Sequence, residues 1–248
     1  MSTPALPCFS EDLVALRVTG EDARDFLHGQ FCGDVRALDV GQALLTAWLS
    51  PKGRALYLVQ VLRADDAFWL LLPAAQAAAF TKRLRMFVLR ARVKIEDGTV
   101  EATQALAATL GLPVRPVAEA ALHLVRAGLP TLDATLSDAF LPQELNLDLL
   151  AGVSFNKGCY PGQEIVARVK FRGTVKRRVE RFALYSRALP PPGVRLTGGD
   201  GELHATVLRA AATPDGVELL AVADLDAGPF SLDGAPTLPL PLPYPTSA

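Results

Sequence analysis

The residues with the most chemistry to offer are Lys157-Gly158-Cys159-Tyr160-Pro161-Gly162-Gln163-Glu164. Gly158 and Gly162 loosen the backbone around Cys159. Pro161 suits the first position of a helix, where a missing N–H costs nothing. Gln163 and Glu164 then fall in the first turn, and Ile165, Val166 and Val169 form an apolar stripe. Glu164, Arg168 and Arg172 recur at i, i+4 and i+8, and Gly173 is a helix stop. A cysteine ahead of a helix N-terminus, with a lysine two residues away, is biased towards the thiolate. Cys159 is therefore a candidate nucleophile, redox group or transient metal ligand; the alternative is a small buried apolar residue. Glu164 and Arg168 also read as a salt bridge worth a few tenths of a kcal/mol, roughly. Physical chemistry alone predicts an anion near a helix N-terminus beside a cysteine, and names no reaction.

Other chemistries find little support. Cys8, Cys32 and Cys159 are far apart and form no C-x-x-C, which predicts reduced thiols and no disulfide framework. They make a poor zinc or iron–sulfur site, and His28, His123 and His204 show no ligand pattern, so no metal site is predicted. The N-terminus has no basic region followed by an apolar run, and its first arginine, Arg17, follows two acids. No leader is expected, nothing approaches a membrane span, and a cytoplasmic location follows.

The formal net charge of −1 predicts that the molecule as a whole does not bind nucleic acid directly. The charges are nevertheless segregated. Residues 157–178 carry seven bases and one acid, whereas residues 179–248 carry four bases and eight acids. Lys82, Arg83, Arg85, Arg90, Arg92 and Lys94 form a second basic run. Such patches suit a small anionic ligand or a local anionic partner; the alternative is two solvated faces.

A scaffold must hold these groups, and 248 residues suffice for one large or two modest domains with a core. Residues 13–18 alternate as a strand, and Thr19 is the expected cap of a helix carrying Ala23, Phe26, Leu27 and Gln30. Residues 43–49 and 55–62 are β-rich runs around Ser50-Pro51-Lys52-Gly53-Arg54, a hairpin loop with a basic tip. A strand at 68–72, a helix at 74–87 and a strand at 93–96 follow. Residues 122–125 continue the series, and 103–110 fit helix or strand alike. The order predicts an α+β region with a mostly antiparallel sheet. After Gly173, short strands at 179–185, 204–210 and 217–222 alternate with Pro/Gly turns and predict a small β-barrel or sandwich. The prolines of Leu238-Pro239-Leu240-Pro241-Leu242-Pro243-Tyr244-Pro245 predict an extended tail outside any helix or central strand. The expected division is an α+β region over 1–174, in two subdomains with a boundary near 98–120, a barrel over 175–237 and a tail over 238–248.

The run Phe155-Asn156-Lys157-Gly158-Cys159-Tyr160-Pro161-Gly162-Gln163-Glu164 closely resembles the K-G-C-Y-x-G-Q-E signature of the YgfZ family. Leu141-Pro142-Gln143-Glu144-Leu145-Asn146-Leu147-Asp148 resembles the family's lead-in, and Arg126-Ala127-Gly128-Leu129-Pro130 its R-x-G-I-P turn. Gly20 to Gln30 resembles its G-x-D-A-x-x-F-L-x-G-Q helix, and Pro51-Lys52-Gly53-Arg54 its P-x-G-R loop. The resemblance spans about residues 13–178.

That family is related to the T-protein of the glycine cleavage system, a tetrahydrofolate-dependent aminomethyltransferase. The resemblance implies T-protein-like antiparallel α/β subdomains around a central cleft, tetrahydrofolate or a derivative as ligand, and a role in assembling or maintaining iron–sulfur proteins, tRNA-modifying enzymes among them. It places Lys157 and Cys159 in the signature. A folate also suits the residues: its anionic tail fits lysine or arginine, and its pterin N–H groups fit a carboxylate. Glu144 and then Asp148 are the expected pterin acceptors, with Lys157, Arg126, Gln163 and Arg168 as further folate contacts. Each carboxylate also reads as a loop group bonding local N–H donors.

Two departures bear on activity. The acid that aminomethyl transfer needs is missing from residues 72–80, and Cys32 replaces the family's usual threonine in Gly29-Gln30-Phe31-Cys32-Gly33-Asp34. A folate-binding factor is expected rather than a T-protein-like enzyme. The competing readings are a folate-dependent one-carbon transferase and an RNA- or protein-binding module working through the basic patches.

Overall fold

The computed structural model describes residues 8–246. The start of the stretch read for a leader and the last two residues of the tail lie outside them. Alternating apolar residues build the first layer from β2 (Leu13–Thr19), β3 (Ala43–Leu49), β4 (Ala55–Arg63), β5 (Phe68–Pro73) and β6 (Lys94–Glu96), after a short β1 (Phe9–Ser10). The five strands order as β3-β4-β5-β2-β6 with every pairing antiparallel. Helices α1 (Ala23–Gln30) and α2 (Ala74–Arg85) cover one face around Phe31, Trp48 and Phe80. Helix α3 (Val100–Thr109) covers the other, with Leu106 and Ala107 against Leu62 and Leu71. The ambiguous 103–110 run is thus mainly helix. Thr99 caps it by accepting from Ala102 N at 3.1 Å, the contact that a threonine offers at an N-cap.

Thr19 does not cap α1. It ends β2, and Asp22 stands at the N-cap position without bonding the helix. Its carboxylate accepts instead from Arg92 N at 2.7 Å, because Gly20 brings this turn against the backbone at Arg92.

Strand β7 (Val114–Arg115) pairs with β1 in parallel, and α4 (Val117–Arg126) follows. Residues 141–150 form compact turns leading to the signature loop and α5 (Gln163–Arg172). The chain then closes a barrel in the order β10-β11-β8-β13-β12-β9. Its strands are β8 (Arg177–Leu184), β9 (Arg195–Thr197), β10 (Leu203–Thr213), β11 (Gly216–Asp224), β12 (Ser231–Leu232) and β13 (Ala235–Leu240). The interior holds Phe182, Leu196, Val207, Leu219 and Phe230. A second apolar cluster joins the barrel's outside to the rest, with Val179, Leu208 and Leu220 meeting Val125, Leu132 and Leu145.

The tail differs from expectation. Residues 238–240 are not outside the barrel: β13 runs through Leu240 and sets Pro239 opposite Phe182. Strand β13 meets β12 at Ala235 and Pro236, and Thr237 N donates to Phe230 O at 2.9 Å, so beyond Thr237 its second edge is open, where a missing N–H is tolerated. Beyond it, the Tyr244 hydroxyl donates to Gly128 O at 2.6 Å and docks the chain end on the turn after α4. Among the described residues, no helix is long and apolar enough to cross a membrane.

Candidate functional site

The signature loop is held by two unusual contacts. The half-buried Lys157 ammonium donates to three carbonyls at the end of α1: His28 O, Phe31 O at 2.6 Å and Gly33 O at 2.9 Å. The Tyr160 ring lies 5.1 Å from the same nitrogen. The His28 carbonyl is one that the last turn of α1 leaves unpaired, at the helix's negative pole, and the other two follow in the turn after it. Burial pushes the Lys157 pKa down to about 8, so the group remains a cation at neutral pH. With all three hydrogens engaged, Lys157 anchors the loop, and no hydrogen is left over for a ligand.

The second contact is glycine against glycine. Gly162 has φ +76°, and a Cβ there would lie 2.6 Å from Gly53 Cα. Gly53 has φ +74°, and its Cβ would lie 2.9 Å from Ile165 Cβ. Both positions combine left-handed backbone with a close approach that only glycine allows. The P-x-G-R and Y-x-G-Q motifs, far apart in sequence, therefore pack back to back. Pro161 is not the first helical residue; it lies in the turn before α5, since the Gly162 conformation interrupts the helix. Cys159 is exposed, Gln163 is half-buried at the start of α5, and Glu164 and Arg168 face solvent.

The expected folate contacts Glu144, Asp148 and Arg126 are engaged elsewhere. Glu144 accepts from Arg177 at 2.7 and 2.9 Å and from Leu141 N at 2.8 Å. Asp148 and Arg178 form a two-bond pair at 3.0 and 3.1 Å, their side chains only 8% and 7% exposed. Arg126 bonds Glu218, which also takes Arg181 at 2.6 Å. The Glu144–Arg177, Asp148–Arg178 and Arg126–Glu218 pairs each join the α+β part to β8 or β11, so these charges clamp the barrel. Gln143 ties the lead-in to α5 through Val166 O at 2.8 Å.

A cleft opens elsewhere, with a volume of about 140 Å³. Its walls are apolar, with Leu45 and Leu58 from the sheet, Leu71 from β5, Leu129 and Leu132 after α4, and Leu150 before the signature. Its polar groups are Ser10, Asp12, Gln60, Thr131 and Arg209. None of Lys157, Glu144, Asp148, Arg126, Gln163 or Arg168 lines it. Arg209 donates to Thr131 Oγ1 at 3.0 Å, burial lowers its pKa, and it has no ion-pair partner among the described residues. Asp12 is bonded to the Ser10 hydroxyl, and its own carbonyl accepts from Ala74 N at 2.8 Å. A carboxylate thus stands beside the end of β5, next to the segment that lacks one. Gln60 accepts from Cys8 N at 3.1 Å, leaving its amide N–H groups for other partners.

Sequence reasoning missed this set. The one available signal was a lone arginine in the apolar run Val207-Leu208-Arg209-Ala210-Ala211. A register shift between Val207 and Arg209 re-aims the side chain. Val207 faces the barrel interior and Leu208 the outside, so strict alternation would turn Arg209 inward. The bulge turns it outward to the cleft.

The tRNA-modifying protein YgfZ of Cronobacter sakazakii is 31% identical, over 94% of this chain and 91% of its own. This chain belongs to the YgfZ family. YgfZ proteins of Shigella boydii and Edwardsiella ictaluri are 30% and 29% identical over 94% and 95% of the chain, and 91% of their own. No protein-family model matches. The glycine cleavage aminomethyltransferase T of Bartonella henselae superposes with a TM-score of 0.70 at 16% identity, over 93% of this chain and 83% of that one. The T-protein-like α+β fold expected from the YgfZ resemblance is borne out. The Cys32 thiol is fully buried, 3.5 Å from Thr46 Oγ1. Thr46 supplies the hydroxyl contacts there, donating to Gly152 O and accepting from Gly33 N, both at 2.8 Å.

Proposed function

We propose that the chain binds a reduced folate in this cleft and supports proteins that carry iron–sulfur clusters, tRNA-modifying enzymes among them. The observation that carries the reading is the half-buried Arg209 guanidinium, set with no direct ion-pair contact among the described residues into an apolar cleft that also holds the Asp12 carboxylate. A half-buried guanidinium whose described side-chain acceptor is one hydroxyl keeps N–H groups that a ligand oxygen can take. A cavity of this size suits one ring system, since an engineered cavity of about 150 Å³ takes up benzene. Arg209 and Asp12 line the same ring-sized cavity, so both would face the pterin, Asp12 accepting from its N–H groups and Arg209 donating to its carbonyl oxygen. Tetrahydrofolate, when bound, carries one-carbon units. Cys159 is exposed and outside the cleft lining, where a client protein can reach it. The T-protein fold and the names of the relatives support this reading.

Calorimetric titration of the reduced protein with tetrahydrofolate and its 5-formyl derivative tests it. Saturable binding is expected, weakened about ten- to hundredfold by Arg209→Met, as for loss of a charge-assisted bond. Cys159→Ser should keep that affinity while losing support of iron–sulfur enzyme activity in cells. A folded wild type that takes up neither folate would end the cleft reading, and full support from Cys159→Ser would end the cysteine's part. A one-carbon transferase is the second reading, favoured by Asp12 beside Pro73. Turnover of a methylene donor that Asp12→Asn abolishes would establish it.

A further inference from the structure

The two basic runs fare differently once folded. In the first, Arg85, Arg92 and Lys94 are neutralised by Asp97, Glu21 and Glu96, Arg83 lies 5.5 Å over the Trp48 ring, and Lys82 and Arg90 are exposed with no ion pair among the described residues. In the second, Arg177 and Arg178 are neutralised by Glu144 and Asp148, and Lys157 is occupied by helix carbonyls. Arg168, Lys170, Arg172 and Lys176 remain, exposed on and just after α5, and none enters an ion pair among the described residues. The exposed Lys52 joins them, because the glycine contact packs the hairpin tip against the start of α5. Glu164 is the acid that α5 carries.

We infer that the exposed end of α5 docks RNA, with Arg168 and Arg172 on one side of Phe171, Lys170 on the other, Lys52 by the helix start and Lys176 beyond its end taking phosphates, and Phe171 stacking an unpaired base. Phe171 is 69% exposed, and Phe155 supports it edge-on at 6.2 Å, with Lys170 lying 5.5 Å over the Phe155 ring. Cations beside a braced, solvent-facing ring suit an RNA loop, whose bases can splay out and stack. An acidic protein segment would use the charges and leave the ring without a task. The ten-residue helix is about 15 Å long, a span of several phosphates. The near-zero net charge argued against nucleic acid only as a whole-molecule average, and the fold gathers five cations without ion pairs among the described residues around one exposed aromatic ring.

The test is fluorescence anisotropy of the full chain with a labelled, unmodified tRNA transcript across a salt series from about 50 mM. The wild type should bind, with log Kd rising with log salt at a slope of roughly 3 to 4, as expected for four or five phosphate contacts. Lys170→Glu/Arg172→Glu should weaken binding at least tenfold and lower the slope by about two. Phe171→Ala should cost about tenfold. Lys82→Glu/Arg83→Glu should change nothing. Folate affinity should be unaltered in the Lys170/Arg172 variant, which separates this inference from the cleft reading. Three results would overturn the RNA assignment: no wild-type binding at low salt, binding indifferent to Lys170→Glu/Arg172→Glu, or poly-glutamate competing as well as RNA at equal charge. The last would assign the face to an acidic protein.

Discussion

Replacing Asp148 by alanine is expected to remove about 3–5 kcal/mol of stability, because it leaves the Arg178 guanidinium buried and uncompensated. The pair is among the most enclosed charges in the molecule, and Arg178 also reaches Gln143 O at 3.1 Å. For a chain of this length that loss corresponds to a fall in Tm of roughly 6–20 °C. Thermal or urea unfolding reads it directly. The double variant Asp148→Ala/Arg178→Met should recover much of the loss, since apolar replacement of a whole buried pair is often close to neutral. A single variant within about 1 kcal/mol of wild type would show that the pair is hydrated and does not clamp the barrel.

The second large effect belongs to Lys157. Lys157→Met should cost about 3 kcal/mol, since it strips the partner from three carbonyls at the end of α1, each worth roughly 1 kcal/mol or more when left unmet. Hydrogen exchange should show the last turn of α1 opening while the barrel stays protected. Folate affinity of the folded fraction should change little, because Lys157 does not line the cleft. A stable variant with weakened folate binding would reverse this assignment and restore the ligand role that the sequence suggested.

These predictions move the clamping groups away from ligand chemistry, and the reason is general. A lysine next to a cysteine, or a carboxylate in a motif's lead-in, looks reactive in sequence because its partners are distant. Lys157 finds its partners 124 to 129 positions earlier, and Glu144 and Asp148 find theirs 33 and 30 positions later. Both are long-range pairings that local pattern does not carry. Arg209 is the converse. Its surroundings in sequence are those of a barrel strand, and only the bulge makes it a cleft residue.

By itself the sequence determined what is local: the strands and helices of the sheet layer, the change to barrel strands after Gly173, the helix after the signature and the eight-residue signature itself. Periodicity, turn residues and motif identity are encoded within a few neighbours. Tertiary structure decided which charges are free. It paired the carboxylates with β8, set Lys157 at the end of α1, opened one edge of β13 to Pro239, and left α5 and the cleft with cations that form no ion pair among the described residues. A charge is free or spoken for only once the chain has brought every other charge into place, and that is a property of the fold.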